Sequence, residues 1–202
     1  TFACVAALLW PLNSVYSIGY MRGNAEQHQT RFYVCFAIAI ASTMGIAFSG
    51  NLLTLFIFYE ALTLSTYPLV THKGNDDAMH AGRLYLGILI GTSIGLLLLA
   101  IIWTAVISGT LDFTPGGILA GKIKGPAVAL LLALYMFGVG KAALMPFHRW
   151  LPAAMVAPTP VSALLHAVAV VKAGVFTVMK VIVYVFGIDF LSATGASQWL
   201  LW

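Results

Sequence analysis

Charged side chains are scarce in this sequence. Ten Lys or Arg and six Asp or Glu make up 8% of its 202 residues, whereas soluble domains carry about 25% charged residues. Hydrophobic residues account for 61% of the chain, and the mean hydropathy is +0.97. So few ionised groups cannot cover a water-exposed surface. The composition therefore excludes a soluble globular enzyme and predicts a chain that crosses a membrane several times.

Cysteine is rare as well, and clusters of basic residues are missing. Cys4 and Cys35 stand alone in apolar stretches without CxxC spacing, so we expect packing residues, and neither a disulfide nor a metal site. The Lys and Arg residues are spread singly between apolar runs, which excludes a nucleic-acid surface despite the formal net charge of +4. No dinucleotide-binding motif occurs, so we expect no cofactor and no redox site in this chain.

Apolar runs with few or no charged residues predict about six membrane spans. The predicted spans cover residues 1–21, 32–49, 52–71, 84–111, 125–145 and 160–186, and each is near the ~20 residues that cross the hydrocarbon core. In the fourth span, Gly87, Gly91 and Gly95 predict a smooth ridge that packs against another helix. Arg and Lys in alternate connections, five against three, place residues 22–31, 72–83 and 146–160 in the cytoplasm.

Four ionisable side chains lie at membrane depth, namely Glu60, Lys141, His166 and Lys172, whereas Lys180 near the end of the sixth span is counted with the connections. A charged group at the centre of a membrane helix costs about 2.5–3.5 kcal/mol on insertion scales, so these groups need partners or a function. We expect an ion pair between Glu60 and Lys141, which either fixes two helices or takes part in transport. His72, His148 and Arg149 face the connections, where we expect interfacial anchors or residues at the mouth of a path.

The segment after Lys141 is rich in proline and predicts a discontinuous helix. Its prolines are Pro146, Pro152, Pro158 and Pro160. Each proline removes a backbone hydrogen bond, and broken backbone at membrane depth is tolerated only where it is buried in protein or faces water. Thr159 is a plausible N-cap where the helix restarts, with Pro160 at its first position. A lysine beside freed carbonyls in a hydrated pocket suits proton transfer, and we expect Lys172, helped by His166, to be the next carrier.

The stretch GKAALMPFHRWLPAAMVAPTPVSALLH, residues 140–166, resembles the signature of the antiporter-like membrane subunits. That family includes the proton-pumping membrane subunits of respiratory complex I and the large subunits of Mrp-type cation/proton antiporters. Residues 51–60, NLLTLFIFYE, resemble the family's helix with an essential glutamate. The resemblance implies that Glu60 is this glutamate, that Lys141 is the lysine of the discontinuous helix, and that His166 and Lys172 are the basic residues linking the half-channels.

The resemblance also implies an organisation in repeats, because family members contain two inverted five-helix repeats. Residues 1–31 then form a preceding helix and loop, residues 32–187 form one five-helix proton-channel repeat, and residues 188–202 begin the next segment. On this reading the chain is a fragment that lacks the second repeat. The presence of both His166 and Lys172 resembles the Mrp-type subunits more than the complex I subunits.

We therefore expect an all-α membrane protein that forms a half-channel of a proton-translocating, Mrp-type antiporter subunit. The alternatives are a proton-pumping membrane subunit of NADH-quinone oxidoreductase or of a related membrane hydrogenase, and a structural membrane module that conducts nothing. A quinone-handling subunit ranks last, because no site chemistry supports it. Expected partners are other membrane subunits, the lipid bilayer and protons, with sodium left open, in the bacterial inner (plasma) membrane.

Overall fold

A computed structural model describes residues 2–165, 169–195 and 198 of the chain. Within them the all-α class is confirmed, because helices dominate and pairing between extended segments is limited to one isolated bridge between Asn51 and Asp112. The helices are α1 (Phe2–Gly23), α2 (Gln29–Phe48), α3 (Leu52–Val70), α4 (Asp76–Thr92), α5 (Leu98–Ser108), α6 (Pro126–Gly138), α7 (Trp150–Ala153), α8 (Thr159–Ala163), α9 (Val170–Lys180) and α10 (Ile188–Thr194).

In the described part of the chain, four helices are long and apolar enough to cross a membrane. They are α1, α2, α3 and the continuous helix Asp76–Ser108, in which a π-helical turn, Ser93–Leu97, joins α4 to α5. A fifth candidate consists of Val170–Phe186 and α10, which are bent by 78° relative to each other.

The predicted fifth and sixth spans are both divided. Helix α6 has 13 residues and is about 20 Å long at 1.5 Å per residue, which is too short to cross ~30 Å of hydrocarbon by itself. The sixth predicted span contains α8 and α9, with His166 lying between them and outside the described residues. By length and composition, four or five helices therefore qualify as spans.

Side-chain caps fix where two of the long helices begin. The Oδ1 atom of Asn51 accepts a hydrogen bond of 2.7 Å from the backbone N–H of Thr54 at the start of α3. Asn75 accepts one of 3.0 Å from Ala78 at the start of α4. Both caps satisfy amide donors that have no partner within the helix. Helix α3 therefore begins directly after Asn51, at the boundary between the second and third predicted spans.

Connections alternate between the two ends of the bundle. The first and third connections together line one cleft, so they lie at the same end, as the sequence predicts. At the opposite end, backbone hydrogen bonds join Leu52 to Leu111 and Ile118 to Tyr184. Lys180, which the sequence places in a connection, is instead the last residue of α9 and reaches Ser49 at this end.

The discontinuous helix breaks earlier than its prolines predict. Helix α6 ends at Gly138, and the next residue, Val139, has φ −82° and ψ 64°, outside the helical region. Lys141 then lies in a single 3₁₀ turn, Gly140–Ala142, and Ala143 adopts a left-handed φ of 56°. The lysine is therefore within the break itself and not in the helix before it. Its amide leaves the helical ladder because it bonds to Tyr59 instead.

From Phe147 to Val156 the backbone makes only single turns: 3₁₀ turns at Phe147–Arg149 and Ala154–Val156, with the short α7 between them. The helix restarts as α8, whose first residue is Thr159 and whose N-cap is Pro158. The N-cap therefore lies one residue before the predicted one, Thr159. The four prolines thus mark a segment without a long helix, although they do not mark its beginning.

Backbones approach each other closely at glycines outside the predicted ridge of Gly87, Gly91 and Gly95. A Cβ atom on Gly174 in α9 would lie only 2.5 Å from the carbonyl carbon of Lys141, and one on Gly138 would lie 2.5 Å from the amide nitrogen of Leu97. By contrast, no described atom lies within 4 Å of a Cβ placed on Gly87, Gly91 or Gly95. The predicted packing ridge is therefore wrong within this chain, because those glycines face open grooves on its surface.

Replacing Gly174 with Ala should destabilise the protein, because the new methyl group would collide with the backbone that carries Lys141. Overpacking of this kind costs about 1–3 kcal/mol. The matched control is Gly91→Ala, a helical glycine with open space at the Cβ position. We expect a lower midpoint of thermal unfolding in detergent for Gly174→Ala and no decrease for the control. Equal midpoints would show that α9 does not pack closely on the break.

Candidate functional site

Lys141 is fully buried, and its side-chain contacts with polar groups of the described residues come from one helix. Its backbone N–H donates to the hydroxyl of Tyr59 over 3.1 Å. Its ammonium Nζ donates to the backbone carbonyl of Tyr59 over 2.9 Å and also to the hydroxyl of Thr63. The same Nζ lies 3.4 Å from the centre of the Tyr59 ring, which attracts a cation through its π face. Helix α3 therefore holds both the backbone and the side chain of this lysine.

Glu60 lies on α3 between the two residues that contact Lys141, but the predicted direct ion pair is not formed. Among the described residues, the ion-pair contact is between His72 and Glu26, and none joins Glu60 to Lys141. Glu60 is half-buried, and its Oε1 atom is buried without a hydrogen-bond partner among the described residues. A carbonyl and a hydroxyl of α3 occupy the direct contact positions on the ammonium.

Buried aromatic and hydroxyl groups surround this contact. The indole Nε1 of Trp150 donates to the carbonyl of Gly140 over 3.0 Å, next to Lys141. The ring of Trp150 packs edge-on against Tyr85, with ring centres 5.5 Å apart. The hydroxyl of Tyr85 is 2.5 Å from that of Thr66, one turn along α3 from Thr63. These residues tie α4 and the broken segment to α3 around the lysine.

Two backbone carbonyls of this region accept side-chain donors in addition to a backbone N–H. The carbonyl of Gly140 accepts from Ala143 and from the indole of Trp150, and the carbonyl of Pro160 accepts from Leu164 and, over 3.3 Å, from the side-chain amide of Asn13 in α1. Irregular backbone at membrane depth is tolerated where it is buried in protein. Asn13, Tyr59, Tyr85 and Trp150 were not among the residues predicted for the site. The signal in the sequence that could have indicated these residues was a polar group within an otherwise apolar run.

Lys172 does not join Lys141 in the described structure. Its side chain is exposed and faces a cleft of about 610 Å³, lined mostly by apolar residues and by Lys180. His166 lies outside the described residues. His148 and Arg149 are exposed, as expected for residues at the membrane interface. Of the four predicted site residues, Glu60 and Lys141 are thus adjacent, and Lys172 is on a separate surface.

Lys180 is a second lysine whose ammonium group makes several contacts inside the protein. The sequence did not predict these contacts. Its Nζ donates to the carbonyl of Ser49 over 2.6 Å and to the Ser49 hydroxyl over 3.1 Å. It also lies 4.5 Å from the centre of the Phe113 ring. A cation at the end of α2 offsets the negative pole of the helix. Lys180 therefore connects α9 to the end of α2.

Residues 49–202 match the family described as NADH:quinone oxidoreductase/Mrp antiporter, TM. The chain belongs to this family. The match covers Glu60, Lys141 and the broken segment, so the resemblance drawn from residues 51–60 and 140–166 is confirmed. The family and the apolar helices together show that the chain is an integral membrane protein.

Relatives in this family are named either as NADH-ubiquinone oxidoreductase chains or as antiporter subunits. The chain is 32% identical over 190 residues to NADH-ubiquinone oxidoreductase chain 5 of Allomyces macrogynus, covering 89% of this chain and 28% of the relative. It is 30% identical over 182 residues to a Staphylococcus aureus protein named as an antiporter subunit, mnhA2, covering 89% and 22%. The chain thus spans about a quarter of the length of these curated relatives.

Solved structures with the same fold belong to multi-subunit membrane complexes. Respiratory complex I from Thermus thermophilus superimposes with a TM-score of 0.72 at 25% identity, covering 99% of this chain and 44% of the other. The Mrp complex from Dietzia gives a TM-score of 0.62 at 30% identity, covering 73% and 16%. The fold is therefore that of the membrane subunits in both kinds of assembly.

Replacing Thr63 with Val should destabilise the protein, because the ammonium of Lys141 loses its hydroxyl acceptor at constant side-chain volume. A hydrogen bond to a charged group contributes roughly 1.5–3 kcal/mol. Thr63→Ser retains the hydroxyl and is the matched control. Thermal unfolding in detergent should show a lower midpoint for the Val variant than for the Ser variant. Identical midpoints would mean that the hydroxyl does not stabilise the buried charge.

Proposed function

We propose that this chain forms a half-channel of a proton-translocating, antiporter-like subunit in a Mrp-type monovalent cation/proton antiporter. The observation that carries the proposal is the fully buried Lys141, held by neutral acceptors of the helix that carries Glu60. Charged groups inside a membrane are costly, and in membrane proteins they characteristically mark ion pathways and proton relays.

The contacts of Lys141 suit an amine that binds and releases a proton. Its direct partners, the Tyr59 carbonyl and the Thr63 hydroxyl, are neutral, so deprotonation breaks no direct ion pair. Glu60 acts from a greater distance, and its charge favours the ammonium form. A movement that changes the separation of Glu60 and Lys141 would therefore load or unload the proton, because the proton affinity of a buried lysine depends strongly on its surroundings.

Lys172 and His166 take the later steps in this proposal. Lys172 lies on α9, the helix that packs on the backbone of Lys141 through Gly174. Residues 32–187 are the functional repeat, with residues 1–31 as the preceding helix and residues 188–202 as the start of the next segment. The partners we propose are other membrane subunits, protons and a monovalent cation such as sodium, in a bacterial inner membrane.

A proton-pumping membrane subunit of an NADH-quinone oxidoreductase is the second candidate. The observation in its favour is the 99% coverage of this chain by the complex I structure, compared with 73% by the Mrp complex. Both candidates use Lys141 in the same way. Sodium flux distinguishes them: an antiporter subunit supports proton-coupled sodium exchange in vesicles, whereas a redox-driven pump requires electron transfer in its soluble partners.

Replacing Lys141 with Ala in the full-length protein should abolish proton-coupled flux, because the buried proton carrier is removed. The matched control is Lys124→Ala, an exposed lysine in a connection. Both variants should insert into the membrane, which immunoblots of purified membranes will check. Flux is measured in vesicles with a pH-sensitive dye. Undiminished flux in Lys141→Ala would contradict the proposal.

Replacing Glu60 with Gln should lower the flux, since the remote charge that acts on Lys141 is lost. The double variant Glu60→Gln with Lys141→Met separates transport from a purely structural role. A structural module keeps full activity of its assembly when both charges are removed together, whereas a proton path loses it. Retained flux in the double variant would therefore favour the structural module.

A further inference from the structure

A polar cleft of about 720 Å³ opens at the end of the bundle where α1 meets α2 and α3 meets α4. Its lining includes Glu26 and Arg31 from the first of these regions, and Tyr67, His72 and Lys73 from the second. The proposed function does not use this cleft. It lies at the C-terminal end of α3, the helix that holds Lys141.

His72 lies in the lining of this cleft with little of its side chain in contact with water. Its exposed fraction is 6%. Its Nε2 atom is 3.7 Å from a carboxylate oxygen of Glu26, a side chain that is 22% exposed. Its ring packs edge-on against Phe32, with centres 5.4 Å apart. Its other ring nitrogen, Nδ1, is buried and makes no hydrogen bond to the described residues.

The two nitrogens of His72 therefore have different surroundings. Nε2 faces a carboxylate that reaches water, and Nδ1 is on the buried side of the ring. An imidazole can bind a proton on one nitrogen and release one from the other. Each transfer takes up one proton and gives up one, so the charge of the pair is the same before and after it.

We propose that the His72–Glu26 pair is where protons enter the half-channel from water, and that hydroxyl groups between α3 and α4 lead them to Lys141. This inference rests on the proposed function. It assigns an entry point to a path whose inner end is the buried lysine.

Hydroxyl side chains are spaced along α3 between the cleft and Lys141. Tyr67 and Thr71 line the cleft, and the Thr71 hydroxyl donates to the carbonyl of Tyr67 over 3.1 Å. One turn deeper, the Thr66 hydroxyl lies 3.1 Å from the carbonyl of Thr63, whose own hydroxyl accepts from Lys141. From Thr71 to Thr63 the helical rise is about 12 Å. Short hydroxyl steps and ordered water can cover this distance.

Helix α4 packs against α3 beside these hydroxyl groups. The hydroxyl of Tyr85 bonds to that of Thr66. A Cβ atom on Gly82 would lie 3.1 Å from the ring of Tyr67, so α4 packs directly on the tyrosine. The polar groups are therefore enclosed between two helices and shielded from lipid.

The charges around His72 suit a transient carrier of protons. Burial lowers the pKa of His72 below its ordinary value, while Glu26 on the first connection raises the pKa. Arg31 and His28 at the start of α2 lower it further, and Lys73 adjoins His72 on its own connection. Burial is the largest effect, so the pKa places a neutral imidazole at His72 at neutral pH, ready to accept a proton.

Replacing His72 with Gln and, separately, Glu26 with Gln in the full-length protein tests the entry point. Proton uptake into vesicles is measured from pH 5 to pH 8. The matched controls are His80→Gln and Asp77→Asn, exposed residues of α4 outside the cleft lining. We expect roughly 100-fold slower uptake or more in both cleft variants, in the range lost when a positioned acid or base is removed, and unchanged uptake in the controls.

The pH profile distinguishes proton entry from a packing role. In the wild type, uptake should rise as the pH falls through the pKa of His72, because a larger fraction of the imidazole carries a proton. The His72→Gln variant should lack this step. If that variant fails to insert, Glu26→Gln tests the same pair through a more exposed side chain. The entry point is overturned if the cleft variants keep the wild-type rate and pH profile while Lys141→Ala abolishes flux. If Lys141→Ala also keeps its flux, the proposed function fails as well.

Discussion

A lysine ammonium with no exposed surface must find all its partners inside the protein. Lys141 finds them on one helix, in the carbonyl and ring of Tyr59 and in the hydroxyl of Thr63. Removing an unpaired charge from water costs several kcal/mol even after relaxation. The position of α3 relative to the broken segment is therefore fixed by the need to solvate this one group.

The break in the chain follows from the same requirement. A lysine in a continuous α6 would use its amide in the helical ladder, whereas here that amide bonds to the Tyr59 hydroxyl. The turn that results brings the backbone of Lys141 against α9, and only a glycine at position 174 leaves room for it. Trp150 also donates to the carbonyl of Gly140, which accepts from Ala143 within the 3₁₀ turn. Backbone geometry, close packing and the buried charge thus depend on one another.

The sequence predicts some of this arrangement and misses other parts, for physical reasons. Charge-free runs locate the long spans because hydropathy depends on composition alone. The prolines indicate a discontinuous helix, but its first non-helical residue is set by the contact between Tyr59 and Lys141, which are 82 residues apart. Spacing along the chain cannot reveal such a contact. For the same reason, Glu60 was expected to touch the lysine directly, although its neighbours on α3 do so.

The glycines show again that spacing along the chain does not reveal contacts between distant segments. The regular spacing of Gly87, Gly91 and Gly95 predicted a packing ridge, yet the close approaches in this chain occur at glycines without any such pattern. A glycine is needed where another backbone arrives, and that depends on the path of the whole chain. Polar residues behave similarly, because the hydroxyl groups of Thr66 in α3 and Tyr85 in α4 meet only when the two helices pack together.

The central claim is that Lys141 acts by exchanging a proton and not by holding a fixed charge. In the full-length protein, Lys141→Arg keeps a positive charge at this position, but a guanidinium cannot release its proton. The matched comparison is the wild type, whose amine can release one. The account predicts that Lys141→Arg inserts into the membrane and has lost proton flux in vesicles. Flux at the wild-type rate in Lys141→Arg would contradict it.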